Sequence, residues 1–338
     1  MPLSPAIIDE FKRLTREILT HTGPRGILAG LVGELVDILE QAANFHITQQ
    51  PGVTTGETAA GDGLAISPTQ AAMCATEPQR TAVFLRGLND AITETLETQQ
   101  TVHVLYAGCG PFATLATPLM ALFPPDRVSF TILDLHPESI SAAKSVVQNL
   151  GLEPSVASFV TADACKYTIP EDAPPDIILS ETMSTALERE PQVAIMRHLL
   201  AQAPGARIIP ESVKVDAYLV DTSKDIDVII PENPASHPDR IPIAPVFELN
   251  APDIHSWTQL TGDRLPAATI EIPPPPAPGY KPYLYTTITT CGNHTLHTHD
   301  STLTGLREIP NPTGATTLIF HYRLGSDPCL IAEPATPR

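Results

Sequence analysis

Apolar residues in the first fifty positions recur at three- and four-residue intervals, and the pattern predicts two helices within residues 5–47, separated at Gly23-Pro24. In the second of them Leu28, Leu31, Leu35, Ile38 and Leu39 share a face, while Glu34 and Asp37 interrupt the run GILAGLVGELVDILEQAA. A membrane span needs about 20 continuous apolar residues. This segment therefore reads as an amphipathic packing helix. The opening MPLSPAIIDEFKRLTREIL mixes charges into its apolar positions and does not read as a signal peptide. The next stretch, QQPGVTTGETAAGDG, has little to bury and reads as a loop or a lid.

From about residue 69 the pattern is helical through QAAMCATEPQRTAVFLRGLNDAITETL, and then short apolar runs alternate with helical ones. The runs are VHVLYAG, SFTILDL, ASFVTA and PDIILSE, with SISAAKSVVQNLG between the second and third. Strands separated by helices of this length predict a parallel, doubly wound α/β sheet. After about residue 210 the runs KVDAYLVD, PYLYTTITTC, STLTGL and TTLIFHYRLG have no helix between them, and Pro-rich connectors such as PENPASHPDRIPIAP divide them. An antiparallel sheet or barrel fits this half. The expected divisions are 1–68, an N-terminal helical extension or lid; 69–210, the α/β domain; and 211–338, a β-barrel-like domain.

Charge narrows the partners. With 20 Lys+Arg against 38 Asp+Glu, the net charge of -18 argues against sequence-independent binding to nucleic acid or an anionic membrane and suits a cationic substrate. The five Cys (Cys74, Cys109, Cys165, Cys291 and Cys329) lack CxxC spacing, so neither a structural zinc site nor a disulfide framework is implied and a reducing cytoplasm is the default expectation.

The chemistry concentrates at strand ends. The first strand runs into a turn built on Gly108 and Gly110, where the missing Cβ lets a ligand approach the backbone. The second closes with Asp134, roughly 20 residues on, where an α/β nucleotide site places the carboxylate that accepts from ribose hydroxyls. The third delivers Asp163. Three such features at successive strand ends converge on one crevice; the bland alternative is an ordinary turn with Asp134 and Asp163 as helix caps. The turn reads GCGPFA rather than GxGxxG, and Pro111 with Phe112 leaves little room for a pyrophosphate, which favours S-adenosylmethionine over a dinucleotide.

The series VLYAGCG, ILDLHPESI, TADA and PDIILSE resembles class I S-adenosylmethionine-dependent methyltransferases. The following segment SETMSTALERE is similar to the double-glutamate loop of the protein arginine methyltransferase family, and MCATEPQRTAVFLRGLNDAI to that family's cofactor-contacting helix. The resemblance implies a Rossmann-like class I methyltransferase domain followed by an antiparallel β-barrel, with Arg80 at the cofactor carboxylate, Glu181 and Glu190 on the acceptor, and pairing of two copies through an arm. The one candidate arm is the Pro-rich stretch 222–247. Independently of any family, two carboxylates can fix the plane of a guanidinium and hold its charge near one nitrogen. Glu181 as a helix cap and Glu190 as a solvated charge are the plain alternatives.

Three departures from the family pattern stand out. Tyr106 replaces a common acidic residue, Phe112 a frequent third glycine, and the family's Thr-His-Trp loop has only Thr298-His299-Asp300 as counterpart. In NHTLHTHD, His297 and His299 alternate as on one strand face, so with Asp300 they form a conceivable metal site beside His294, although no metal is expected. His136 is equally well a cofactor neighbour or a plain loop residue; His321 and Tyr322 read as core or pocket lining.

The expectation is an S-adenosylmethionine-dependent N-methyltransferase. Arg80, Gly108, Gly110, Asp134 and Asp163 bind the cofactor, and Glu181 and Glu190 hold a small guanidino or amino acceptor such as arginine or a derivative. The alternatives are arginine within a protein, an unrelated small metabolite, or a non-catalytic cofactor-binding partner subunit. A homodimer is possible.

Overall fold

A computed structural model of the chain describes residues 2–49, 52–225, 240–310 and 314–335. The two N-terminal helices form as patterned. Helix α1 (Pro5–Thr20) buries Phe11, Leu14 and Ile18, and α2 (Arg25–Ala43) buries Leu28, Val32, Leu35 and Leu39 before Asn44 ends it with a left-handed φ of 53°. They pack on α4 (Pro78–Thr98) and α6 (Pro137–Leu150), on the outside of the α/β domain. The Gly/Thr-rich stretch expected to be a loop or a lid carries a small antiparallel hairpin, β1 (Thr58–Ala60) with β2 (Gly63–Ala65), and leads into the short helix α3 (Pro68–Cys74).

Five parallel strands follow: β3 (Val102–Ala107), β4 (Val128–Asp134), β5 (Val156–Thr161), β6 (Ile177–Ser180) and β7 (Arg207–Ile209). They lie in the order β5-β4-β3-β6-β7. Val104 pairs with Phe130 on one side and Ile177 on the other, and strands so enclosed need near-continuous apolar sequence. Between them lie α5 (Thr117–Met120) and α7 (Gln192–Gln202). Strand order reverses about β3, between β4 and β6, so the carboxyl ends of β3 and β6 flank the crevice where a doubly wound sheet binds its ligand.

The second half is antiparallel throughout. In one sheet β12 (His294–Leu296), β11 (Lys281–Cys291), β8 (Ser212–Val220) and β9 (Arg240–Asn250) are neighbours in that order, with β13 (Leu306–Glu308) also on β11. The other runs β10 (Arg264–Glu271), β14 (Thr317–Arg323), β15 (Cys329–Pro334). Two sequence expectations change here. The segment RIPIAP, taken as connector, belongs to β9; a strand at the sheet edge tolerates Pro242 and Pro245, and its register on β8 shifts around them. STLTGL, taken as β-rich, is mostly a 3₁₀ turn over Thr302–Thr304 closed by a Ser301/Thr304 capping box. Of the candidate arm 222–247, residues 222–225 form the short helix α8, 240–247 lie in β9, and 226–239 fall outside the described residues.

The halves meet along α4. Glu77 accepts from the Thr302 backbone N–H (2.8 Å) and hydroxyl (2.7 Å), the Val83 carbonyl from the Thr290 hydroxyl (3.0 Å), and Asp90 contacts His294 Nε2 at 2.7 Å. Gly87 lies between, where an added Cβ would stand 2.1 Å from Thr290 Oγ1. A second junction joins α7 to α9 (Ala251–Ser256) and the turn after it, where Arg197 donates to the carbonyls of Trp257 and Leu260. No helix among the described residues is long and apolar enough to cross a membrane.

Candidate active site

The Gly108–Gly110 turn is bolted to β4. Both Gly108 N–H and Cys109 N–H donate to the Leu133 carbonyl, and Gly110 N–H donates to Asp134 Oδ2 at 2.8 Å. The other oxygen, Oδ1, accepts from His136 N–H at 2.8 Å. Gly108 and Gly110 have φ of 79° and 63°, values an L side chain adopts only with strain. A Cβ on Gly108 would stand 2.3 Å from Thr182 Cγ2, and one on Gly110 3.2 Å from Ala71.

Above this turn is a cavity. It is lined by Gly108, Gly110, Asp134 and Asp163 on the strand-end side and by Arg80, Glu181 and Glu190 on the other. All seven residues singled out in the sequence thus face one space. Asp163 accepts from Cys165 N–H at 3.0 Å and pairs with Lys166 at 3.2 Å. Tyr106, buried beneath, has its phenol held well above its ordinary range by burial and then by the Glu181 charge. Phe112 packs edge-on to Phe45, away from solvent.

Arg80 is buried and stands between two carboxylates, with Nη1 3.0 Å from Glu77 Oε1 and Nη2 in contact with Glu181 Oε1. Burial alone would lower its affinity for a proton, but Glu181 beside it raises it further. Burial pushes the Glu181 carboxyl up, with Arg80 opposing. Burial also pushes Glu190 up, to about 7, with Arg80 opposing and Glu181 adding to the rise. Glu190 has no ion-pair partner among the described residues. A carboxylate so placed is costly to ionise without a cation.

The loop carrying both glutamates is shaped from outside. Ala186, Leu187 and Arg189 have left-handed φ of 57°, 59° and 65°, each costing roughly 1–2 kcal/mol. At its neck Gln192 accepts from Thr182 N–H and hydroxyl (both 2.9 Å) and donates to the Ser180 carbonyl (3.0 Å). The β half pins the rest: Thr286 Oγ1 accepts from Ala186 N–H, Tyr322 O–H donates to the Leu187 carbonyl at 2.8 Å, and the Pro328 carbonyl accepts from Arg189 N–H. Tyr322 is fully buried in a stack with Phe247 and Trp257. The β1–β2 hairpin roofs the cavity, since Leu64 N–H donates to the Arg189 carbonyl (2.8 Å) and Thr58 Oγ1 lies 3.1 Å from His136 Nε2. Burial opposes but Asp134 dominates at His136, whose pKa is raised.

Several expectations are corrected. His297 and His299 do not share a strand face: residues 297–300 form a turn, His299 with φ of 66° reaches Asp225 at 3.2 Å, and His294 reaches Asp90. No group of three potential metal ligands lies together among the described residues. Within the stretch 1–68 expected as an extension or lid, the helices pack on the outside of the α/β domain and the hairpin lines the cavity. Sequence reasoning missed the anchors Gln192 and Thr286, for which one chain offers no local signal; Tyr322, read as core or pocket lining, is fully buried and anchors the loop as well. Glu77, one helical turn before Arg80, was the readable exception.

A crevice at the switch point of a doubly wound sheet, walled by buried carboxylates and joined to an antiparallel β half, defines the class of fold and site. No protein-family model matches the chain, and no curated protein matches it. Solved structures that it resembles include the Trypanosoma brucei PRMT1 enzyme–prozyme heterotetrameric complex with AdoHcy, at 14% identity and a TM-score of 0.47 over 74% of this chain and 86% of that one. Another is Arabidopsis thaliana protein arginine methyltransferase 10 in an open conformation, at 12% identity and a TM-score of 0.49 over 77% and 88%.

Proposed function

We propose that this protein is an S-adenosylmethionine-dependent N-methyltransferase acting on a guanidino or amino group of a small molecule, arginine or a derivative. The observation that carries the reading is the single cavity with a glycine turn and Asp134 on one side and two half-buried glutamates on the other. The residues fit the cofactor. Gly108 and Gly110 leave room where a Cβ would intrude, Asp134 and Asp163 offer carboxylate oxygens to ribose and base, and two buried atoms lining the cavity, Ser139 Oγ and Arg80 Nε, have no hydrogen-bond partner of their own. When bound, the cofactor supplies an electrophilic methyl group on a sulfonium.

The chain's own residues do the rest. Glu181 and Glu190 accept N–H bonds from the acceptor, fix its plane and draw its positive charge toward themselves, leaving one nitrogen directed at the methyl group. Glu190, pushed up to about 7, takes the proton that the alkylated nitrogen sheds. The hairpin roof keeps water from the site.

The test is methyl transfer from labelled S-adenosylmethionine to free arginine, other guanidines, simple amines and an arginine-rich peptide, with product masses recorded. Label on a free guanidine is expected. Glu181→Gln should abolish turnover while cofactor affinity stays within a few-fold. Label only on the peptide would make the protein a protein arginine methyltransferase, and cofactor binding without label on any guanidine discards the clamp.

A further inference from the structure

Beyond Glu190 the cavity opens into a second, of about 260 Å³, that shares Cys74, Arg80 and Glu190 as a wall with the first. Its volume suits a molecule of amino-acid size. Its charged groups can be accounted for one by one. Arg80 is neutralised by Glu77 and Glu181, and Glu188 accepts from Arg307 Nε at 2.8 Å. Glu57 and Arg189 remain. Both line the space, and among the described residues neither side chain has an ion-pair or hydrogen-bond partner. Both stand near enough to act electrostatically on Glu190, Arg189 lowering and Glu57 raising its pKa.

Arg189 is exposed at the rim of the cavity, and its distinction lies in its place there beside Glu190 rather than in lacking a carboxylate, since Arg86, Arg127 and Arg197 bond only to carbonyls. Its backbone is firmly placed. It is held on one side by the Pro328 carbonyl (2.9 Å) and on the other by Leu64 N–H (2.8 Å), at a left-handed φ of 65°. Gln70 lines the same space, and its Oε1 is buried without a partner. The space therefore has Glu190 in the wall it shares with the first cavity, where Glu181 stands, and is lined besides by one unpaired anion, one unpaired cation at its exposed rim and one unfilled acceptor.

Resting on the guanidinium-clamp reading above, we infer that the acceptor is a free α-amino acid with a cationic side chain: Arg189 receives its carboxylate, Glu57 and Gln70 its ammonium, and Glu190 with Glu181 its guanidinium. A charge-assisted bidentate contact suits Arg189 to a carboxylate, and the opposite signs of Arg189 and Glu57 set the direction in which the head group lies. The same arrangement excludes arginine within a chain, whose amine and carboxyl are both amides.

The experiment compares initial rates for L-arginine, agmatine (no carboxylate), 5-guanidinopentanoate (no amine) and N-acetyl-arginine methylamide (neither). Wild-type protein should prefer arginine to each by about 10- to 100-fold in kcat/KM, the worth of a hydrogen bond to a charged group, mainly through KM. In Arg189→Gln the preference over agmatine should collapse while that over 5-guanidinopentanoate persists; Glu57→Gln should do the converse. Melting temperatures identify any variant that fails to fold, in which case Arg189→Asn, a residue at ease with positive φ, replaces the first. Equal use of arginine and its blocked form, or substitutions that depress all four acceptors alike, overturns the head-group assignment and leaves the clamp standing. Cofactor binding with no guanidine methylated overturns both.

Discussion

The two walls of the cavity are built by opposite means. On the side of the glycine turn, a few residues are fastened to the next strand by three backbone N–H groups, one of them on the Asp134 carboxylate, whose other oxygen accepts from His136 N–H. On the side of Glu181 and Glu190, three non-glycine residues sit in left-handed conformations, in a loop held by side chains from the other half of the molecule, Thr286 and Tyr322. The first wall is a local structure that the sheet carries unaided. The second exists only once both halves have folded together.

This contrast can be broken most severely at Gly108. Valine there must adopt a φ of 79° and meet Thr182, so Gly108→Val should abolish cofactor binding, measured by calorimetry, and lower the melting temperature. On the other wall, Gly63→Ala puts a Cβ 2.8 Å from the Arg189 carbonyl oxygen, a backbone atom that cannot swing aside. Acceptor KM should rise about 5- to 100-fold, the equivalent of 1–3 kcal/mol of strain, with cofactor affinity little changed. Tyr322→Phe leaves the Leu187 carbonyl buried without its donor, a loss of about 1–3 kcal/mol in chemical denaturation. Its kinetic penalty should again fall on the acceptor. An effect of either variant on cofactor affinity equal to that on acceptor KM would mean that the walls are not separable.

A pH experiment sharpens the point. Glu190 binds its proton more tightly folded (about 7) than at its ordinary value of 4.5. The protonated carboxyl therefore favours the folded state; its contribution is complete below about 4.5 and is lost as pH rises through about 7. Burial of Glu181 acts in the same direction. Wild-type stability should fall across that window, on the order of 2–3 kcal/mol relative to Glu190→Gln, which has nothing to titrate. Because a cation is held only by the ionised form, kcat/KM for the acceptor should decline by about tenfold per unit below pH 7.

What could be read from the chain follows the same division. The parallel strands were legible because burial on both faces demands unbroken apolar runs such as VLYAG and IILS, and the glycine-turn wall was legible because Gly110 and Asp134 stand at successive strand ends. Strand β9 was not, since Pro242 and Pro245 disguise a strand that only its edge position permits. The hairpin strands are too short to show alternation. Glu57, Gln70 and Arg189 carry no motif; what brings them together is one cavity, which is a property of the folded molecule.

The row of contacts along α4 has a consequence for recombination. Glu77, the Val83 carbonyl with Gly87, and Asp90 face the β half from one helix that precedes the whole parallel sheet in sequence. A chimera spliced between β7 and β8 exchanges the β half as one stretch of sequence but leaves behind the helix against which that half is indexed. Glu77 also grips Arg80, so a mismatched graft would disturb the Arg80 wall of the cavity without touching it. The transferable cassette is the β half together with α4, two pieces far apart in the chain, and insertions between them are the changes this architecture can absorb.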